Sequence, residues 1–335
     1  MVPIAICIPA RNEAAELKRL FSALEHLDVR PERAISICLL LDSCTDDSAM
    51  LVNAYAASSS HRILIAKTDA STTNAGRARH QAMTMGLAAL AGADGILLTT
   101  DADSTPTSSW LEAMAAGLDH ADIVIGKVIR TGRRPHQLQE RIERYYDSLH
   151  ALRRRLDPVP WEALVTHHQT TGANMGIWAS AYRRLGGFSP VENGEDARLS
   201  DDASRAGLRV RRDAACVMLT SDRRDGRARG GMANMLRMLE AGDVGAVSVA
   251  HPQDVAWQYR MHALVRAAYQ EIQLERVAVA LGLTRDHVVG VARDCPNAEA
   301  LAMRIVPEPP AGMRTVPLVV AEDEIARIAC GRAAA

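Results

Sequence analysis

Aromatic side chains are scarce in this chain of 335 residues, with 2 Phe, 4 Trp and 6 Tyr. Ala, Leu and Val fill the gap, and apolar residues still make up 48% of the sequence, enough for a sizeable core. Charge of one sign is also missing. Basic and acidic residues balance to a formal net charge of -1, so no general affinity for nucleic acid or membrane surfaces is implied. The six cysteines form no CxxC pair, which leaves neither a zinc nor a redox motif. Cys7, Cys38 and Cys216 lie in apolar runs and read as small core residues. No window approaches ~20 continuous apolar residues, so no membrane-spanning helix is expected. The first residues, Met1 to Ala10, lack a basic region and read as a strand, not a secretion signal. A cytoplasmic setting is expected, and no internal repeat is visible.

What the sequence does have is a series of short apolar runs, each ending in a polar cluster. Strands are expected at Val2–Ile8, Ile35–Leu41, Arg62–Ala66, Ile96–Thr100 and Asp122–Ile129. Helices are expected between them, from Glu13 to Leu27, from Thr45 to about Ala57, from Asn74 to about Ala91 and from Ser108 to Leu118. This alternation predicts an α/β domain with a mostly parallel sheet flanked by helices. In such a sheet ligands sit beyond the carboxyl ends of the strands. The fourth run ends in Asp101-Ala102-Asp103. Two carboxylates one residue apart offer hard oxygen ligands suited to Mg²⁺ or Mn²⁺. An acidic turn without a metal is the alternative.

Further along, a charged helix is expected from His136 to Leu156, and an irregular stretch from Asp157 to Thr171. Thr171–Gly176 leads into an expected apolar helix that ends at Gly186-Gly187. Asn193-Gly194-Glu195-Asp196 opens a helix through Ala206, followed by two short strands, Arg209–Arg211 and Ala214–Thr220. A basic, glycine-rich loop then carries Arg223, Arg224, Arg227 and Arg229. After Met232 the character changes to helical segments, including Leu236–Leu239 and Trp257–Leu283, with a proline-rich end. The expected organisation is a domain over residues 1–232 and a helical extension and tail over residues 233–335, which could cover an acceptor site or form a homodimer interface.

Five segments together resemble glycosyltransferase family 2, the nucleotide-sugar-dependent transferases of GT-A fold. They are Ile8-Pro-Ala-Arg-Asn-Glu13, Leu41-Asp-Ser-Cys-Thr-Asp-Asp47, Asn74-Ala-Gly-Arg-Ala-Arg79, Asp101-Ala-Asp103 and Gly194-Glu-Asp196. The resemblance spans residues 2–231 and rests on order, spacing and placement after strands. It implies a nucleotide floor at Pro9, Arg11 and Glu13, with Asp42 accepting from the base. Where the family usually has a small polar residue or Gly two positions after that acid, this chain has Cys44. It implies that Gly76 and Arg79 meet the diphosphate at a helix N-terminus. Asp103 is the metal ligand it implies most directly, with Asp101 on the metal or the ribose. Asn174 would contact the donor sugar, and Arg227 in the basic loop would close over the diphosphate or hold an anionic acceptor. Asp196, with Glu195 second, matches the acid that takes a proton from the acceptor hydroxyl in an inverting transfer. Many relatives add a metal-ligating His after the acid-rich helix; Leu219 to Arg223 has none, and Asp222 or water would stand in.

The expected activity is therefore a metal-dependent transfer of a sugar from a nucleoside-diphosphate sugar to an acceptor hydroxyl. Two alternatives stay open: a retaining transferase resembling the glucosyl-phosphoglycerate synthases, and a non-catalytic nucleotide-sugar-binding module. A nucleotidyltransferase on a similar scaffold would want a glycine-rich loop after the first strand, which Pro9 to Glu13 does not supply.

Overall fold

A computed structural model describes residues 2–31, 33–69, 74–131, 137–221 and 247–329. The chain divides into two compact units. The first takes Met1–Arg133, Ala163–Asp202 and Val210–Met235; the second takes Arg134–Glu162, Ala203–Arg209 and Leu236–Ala335. The division is thus not a single cut near residue 232, because an internal helical segment joins the C-terminal residues in the second unit.

The first unit is built on one sheet. Its strands are β1 (Ile4–Ala10), β2 (Ile35–Asp42), β3 (Arg62–Thr68), β4 (Ile96–Thr100), β5 (Ser104–Pro106), β6 (Ile123–Arg130), β7 (Asn174–Trp178) and β8 (Val210–Thr220). Their spatial order is β3-β2-β1-β4-β7-β6-β8-β5. Strands β1 to β4 run parallel, β7 runs antiparallel to both β4 and β6, and β5 runs antiparallel to β8. The first four expected strands are present within a few residues. β1 reads as a continuous apolar run because both faces are covered. Ile4, Ile6 and Ile8 pack with Leu17, Leu20 and Leu24 of helix α1 (Ala14–Glu25), with Val52 of α2 (Ser48–Ser58) in the same cluster. On the other face, Ala5 and Cys7 lie under helix α3 (Ala75–Ala89), where a Cβ on Gly86 would meet Cys7 Sγ at 2.5 Å. Helix α4 (Trp110–Leu118) adds the fully buried Trp110, Leu111 and Met114 to the first cluster.

Three elements depart from the sequence reading. The segment Thr171–Gly176 runs into strand β7, and the expected helix after it is the short α6 (Ala179–Leu185), which ends at Gly186 as expected but starts later because Ile177 and Trp178 belong to the strand. Pairing on both sides, Ile177 with Leu97 and with Ile123, overrides the ambiguous period of so short a run. The two short strands after Gly207 are one strand, β8, whose register on β6 shifts between Gly126 and Lys127. Asp213 sits at that irregularity and accepts hydrogen bonds from Ala215 N at 3.0 Å and Arg211 Nε at 2.9 Å. Strand β5, directly after Asp103, has only three residues and ends in Pro106, which suits a sheet edge.

The second unit is helical: α5 (Gln137–Leu156), α8 (Pro252–Gln270), α9 (Leu274–Leu281), α10 (Arg285–Arg293), α11 (Ala298–Ile305) and α12 (Leu318–Ala329), with a two-stranded ribbon of β9 (Ser248–Ala250) and β10 (Thr315–Pro317). The expected helix Trp257–Leu283 is the pair α8 and α9, and Leu236–Leu239 lies outside the described residues. Arg266 on α8 pairs with Asp157 and, at 2.7 Å, with Glu299, all three side chains being largely buried. Among the described residues, no helix is long and apolar enough to cross a membrane.

Candidate active site

Most of the polar residues singled out in the sequence fall at the carboxyl ends of β1, β2 and β4, and at the start of β7, whose Asn174 faces Thr100 across the sheet. Helix α7 (Glu195–Arg205) begins beside them.

At the tips of β1 and β2 the backbone is held in two left-handed residues, Asn12 (φ 53°) and Ser43 (φ 52°). Neither is glycine, so the conformation costs energy and must be fixed by bonds. Asn12 Oδ1 accepts from Thr45 N at 2.8 Å and Thr45 Oγ1 at 3.3 Å, tying the two loops together. The Cys44 thiol donates to Ala10 O at 3.3 Å and strengthens the same tie. Asp42 is buried and accepts from Arg11 Nη1 at 3.4 Å and Ser43 Oγ at 3.2 Å. Glu13 is buried at the start of α1, its backbone N–H donating to Ser48 Oγ at 2.9 Å, and Pro9 is half-buried at the end of β1. Asn12 and Ser43 lie in the segments that carry the family resemblance but were given no role of their own; an Asn just after a strand, a residue type that tolerates positive φ, was the available signal.

Arg79, just over one turn into α3, is 6% exposed. Its guanidinium donates to Glu195 Oε1 (3.0 Å, from Nε), to Thr99 Oγ1 (3.1 Å) and Gly172 O (2.8 Å) from Nη1, and to Asp101 Oδ1 (2.9 Å, from Nη2). One face lies over the Phe188 ring at 5.8 Å. Burial pulls the Arg79 pKa down, but the charges of Asp101 and Glu195 outweigh it, and the net shift is upward. Thr99 was not singled out from sequence, although a buried hydroxyl at the end of an apolar strand requires a partner. Glu195 is 5% exposed and turned towards Arg79. Asp196 is half-buried; its Oδ2 accepts from Gly172 N at 2.9 Å and its Oδ1 from Ala197 N at 2.7 Å.

Gly76 packs on protein. A Cβ there would lie 2.0 Å from Ser189 O, and Gly76 N already donates to Val191 O at 3.1 Å. Asn74 caps the helix by accepting from Arg77 N at 2.7 Å. Asn174, expected to meet a sugar hydroxyl, is instead a buried strut. It is 0% exposed, its Oδ1 accepts from Trp110 Nε1 at 2.7 Å, and its Nδ2 donates to Lys127 O and Cys216 O, each at 2.9 Å. Arg227 and the rest of the basic loop lie outside the described residues.

Asp101 and Asp103 fit a divalent cation. Mg²⁺ and Mn²⁺ are commonly bound by one or two carboxylates, with water and substrate phosphates completing the shell. Asp101 keeps its side chain 39% exposed while one oxygen is anchored on Arg79. Asp103 accepts from Ser221 Oγ at 3.3 Å and Ser104 Oγ at 3.4 Å, neutral donors that a cation can displace. Among the described residues, no group of three His, Cys, Asp or Glu side chains gathers as a closed metal site. Asp222 lies outside them.

Residues 5–177 match the profile described as Glycosyl transferase family 2. The chain belongs to this family. It is a glycosyltransferase, and its matched segment covers β1 to β7, including the loops after β1 and β2 and Asp101-Ala-Asp103. Among solved structures, S. aureus TarS 1-349 in complex with UDP-GlcNAc has a TM-score of 0.50 at 15% identity, over 91% of this chain and 90% of that one. The mannosyltransferase PcManGT from Pyrobaculum calidifontis, in complex with GDP-Man and Mn²⁺, has a TM-score of 0.46 at 14% identity over 98% and 80%. Glucosyl-3-phosphoglycerate synthase from Mycobacterium tuberculosis, in complex with Mg²⁺ and UDP, has 0.42 at 18% over 76% and 85%. At these identities the likeness to TarS shows the fold, of GT-A type, and no more. No curated protein matches the chain.

Proposed function

We propose that this family 2 glycosyltransferase moves a sugar from a nucleoside-diphosphate sugar to an acceptor hydroxyl with inversion, using Asp196 as the base. The observation that carries the reading is the bond from Gly172 N to Asp196 Oδ2, which fixes a half-exposed carboxylate on the same residue whose carbonyl meets Arg79 and, through it, Asp101. Glu195 is the weaker candidate, because its carboxylate is buried and committed to Arg79.

In this reading Pro9, Arg11 and Glu13 line the nucleoside side, and Asp42, oriented by Arg11 and Ser43, accepts from the base. Asp101 and Asp103 would hold Mg²⁺ or Mn²⁺, which supplies positive charge to the departing diphosphate. Asp196 accepts the proton of the acceptor hydroxyl as its oxygen attacks the anomeric carbon from the face opposite the leaving group. The two backbone donors on Asp196 hold its carboxylate in one orientation, so little reorganisation accompanies the proton transfer. A cytoplasmic setting belongs to the same proposal.

The test is a panel of UDP-, GDP- and dTDP-sugars scored for Mn²⁺-dependent hydrolysis, a slow reaction that needs no acceptor. Hydrolysis of at least one donor, lost in Asp196→Asn, is expected. Full activity in Asp196→Asn removes Asp196 as the base, and an α-linked product from an α-linked donor removes the inverting assignment.

A further inference from the structure

We infer that Arg79 is a positioning residue that couples the two carboxylate groups of this site, and is not a ligand of the donor phosphates. The inference rests on the roles proposed above for Asp101 and Asp196. A guanidinium has five N–H donors in a fixed planar fork. Four hydrogen bonds to protein acceptors are already made, to Glu195, Thr99, Gly172 and Asp101, and the group is 6% exposed. At most one N–H remains for a phosphate. The first turn of α3, where a diphosphate would be expected to dock, is similarly committed, with Gly76 N on Val191 O and Arg77 N on Asn74 Oδ1.

The coupling runs through one residue. Gly172 O accepts from Arg79 Nη1 at 2.8 Å, and Gly172 N donates to Asp196 Oδ2 at 2.9 Å. A Cβ at this position would lie 2.5 Å from Arg79 Nε and 2.6 Å from Cζ, so only glycine lets the peptide and the guanidinium approach this closely. The same guanidinium anchors Asp101 and offsets the buried charge of Glu195. Moving Arg79 therefore moves the metal-side carboxylate directly and the base through the Gly172 peptide. Lysine cannot substitute: its ammonium is a single point and cannot span acceptors placed around a fork.

The experiment uses Arg79→Lys and Gly172→Ala, each alone and combined with Asp196→Asn, with folding checked by thermal melting. Activity is Mn²⁺-dependent hydrolysis of the donor cleaved fastest in the panel, and binding is calorimetry with the matching nucleoside diphosphate in EDTA. Both single variants are expected to lose kcat by about 30-fold or more, with KM and nucleotide affinity within threefold of wild type. In either double variant the further loss beyond Asp196→Asn is expected to be smaller than the loss the same change causes in the wild-type background, because the part transmitted to the base is already gone and only the part transmitted to Asp101 remains. Tenfold weaker nucleotide binding in EDTA, unchanged kcat, or losses that multiply in the double variants each overturn the inference. Should one variant fail to fold, the other carries the same comparison. Full activity in Asp196→Asn alone defeats the assignment of the base instead, and the binding arm still decides whether Arg79 is a phosphate ligand.

Discussion

Replacing Asn174 with Leu tests whether the residue is a strut or a sugar contact. The substitution keeps approximate volume and removes three hydrogen bonds at once, those with Trp110 Nε1, Lys127 O and Cys216 O. All three partners sit where α4, β6 and β8 meet β7, and Asn174 itself is fully buried. A buried polar group left without a partner costs about 1–3 kcal/mol. Partial relaxation of the Trp110 ring makes the sum less than additive, so a loss of about 4 kcal/mol is expected. With a urea m-value of about 3 kcal/mol/M for a unit of this size, the unfolding midpoint falls by roughly 1.3 M. The assay is urea unfolding followed by tryptophan fluorescence, with Trp110→Phe as a partner variant that removes only the indole donor. The double variant should cost less than the sum of the singles. A midpoint shift below about 0.3 M, accompanied by a rise in KM for the nucleotide sugar, refutes the strut and restores the sugar contact.

Three further outcomes follow from the charged groups. Asp103→Asn should cut Mn²⁺-stimulated hydrolysis of the preferred donor by about 100-fold, because a neutral amide is a weaker ligand than a carboxylate for a hard cation; a metal titration of activity checks it. Arg266→Met should destabilise the helical unit by about 3–5 kcal/mol, because Asp157 and Glu299 are left buried without their cation. Burial already holds both carboxyl pKa values above their ordinary range despite that cation, so the deficit should shrink on acidification as they take up protons; denaturation at pH 7 and pH 5 tests the sign. His167, 3% exposed with Nε2 bonded to Ile125 O at 3.1 Å, has its pKa lowered from 6.5 to about 4, by burial first and then by Arg212. A depressed histidine stabilises the fold fully above pH 6.5 and loses that contribution as the pH falls towards 4, by up to about 3 kcal/mol. His262, lowered likewise to about 4, acts in the same direction, so His167→Gln should flatten the acid limb of stability only in part.

Strands β1 to β4 were legible because each is a short apolar run closed by polar residues, and the pattern fits a sheet covered on both faces. β7 was not, since five residues with a glycine in the middle fit a helix and a strand equally well. What decides it is Gly176 lying against Leu98, where a Cβ would come within 2.9 Å of Leu98 Cδ2, a contact between residues nearly eighty positions apart. The irregularity in β8 was equally hidden: Asp213, after Arg211-Arg212 and before the apolar run from Ala214, reads as a break, and its carboxylate is bonded to local backbone and Arg211 so that the strand continues.

The placement of the site could be read from sequence for a simple reason: polar clusters after parallel strands converge on one edge whatever their internal contacts. The division of labour inside it could not. An arginine on a helix near a glycine reads as an anion ligand, and nothing in residues 74–79 reveals that the chain will bring Glu195 to 3.0 Å and Gly172 to 2.8 Å of the same guanidinium. Asn174 misleads in the same way, because an amide before an apolar run has the chemistry of a sugar contact until β6 and β8 close over it. In both cases the side chain's hydrogen-bonding capacity is consumed by segments distant in sequence. A motif shows which chemistry a residue can perform, while its other contacts decide how much of that capacity is left for a substrate. By that measure Asp196, half-buried, retains more capacity for external groups than Arg79 or Asn174, and Asp101 keeps its side chain 39% exposed. The reacting groups should therefore be sought among the acids at the strand tip and the start of α7, with the arginine and the asparagine as the frame that holds them.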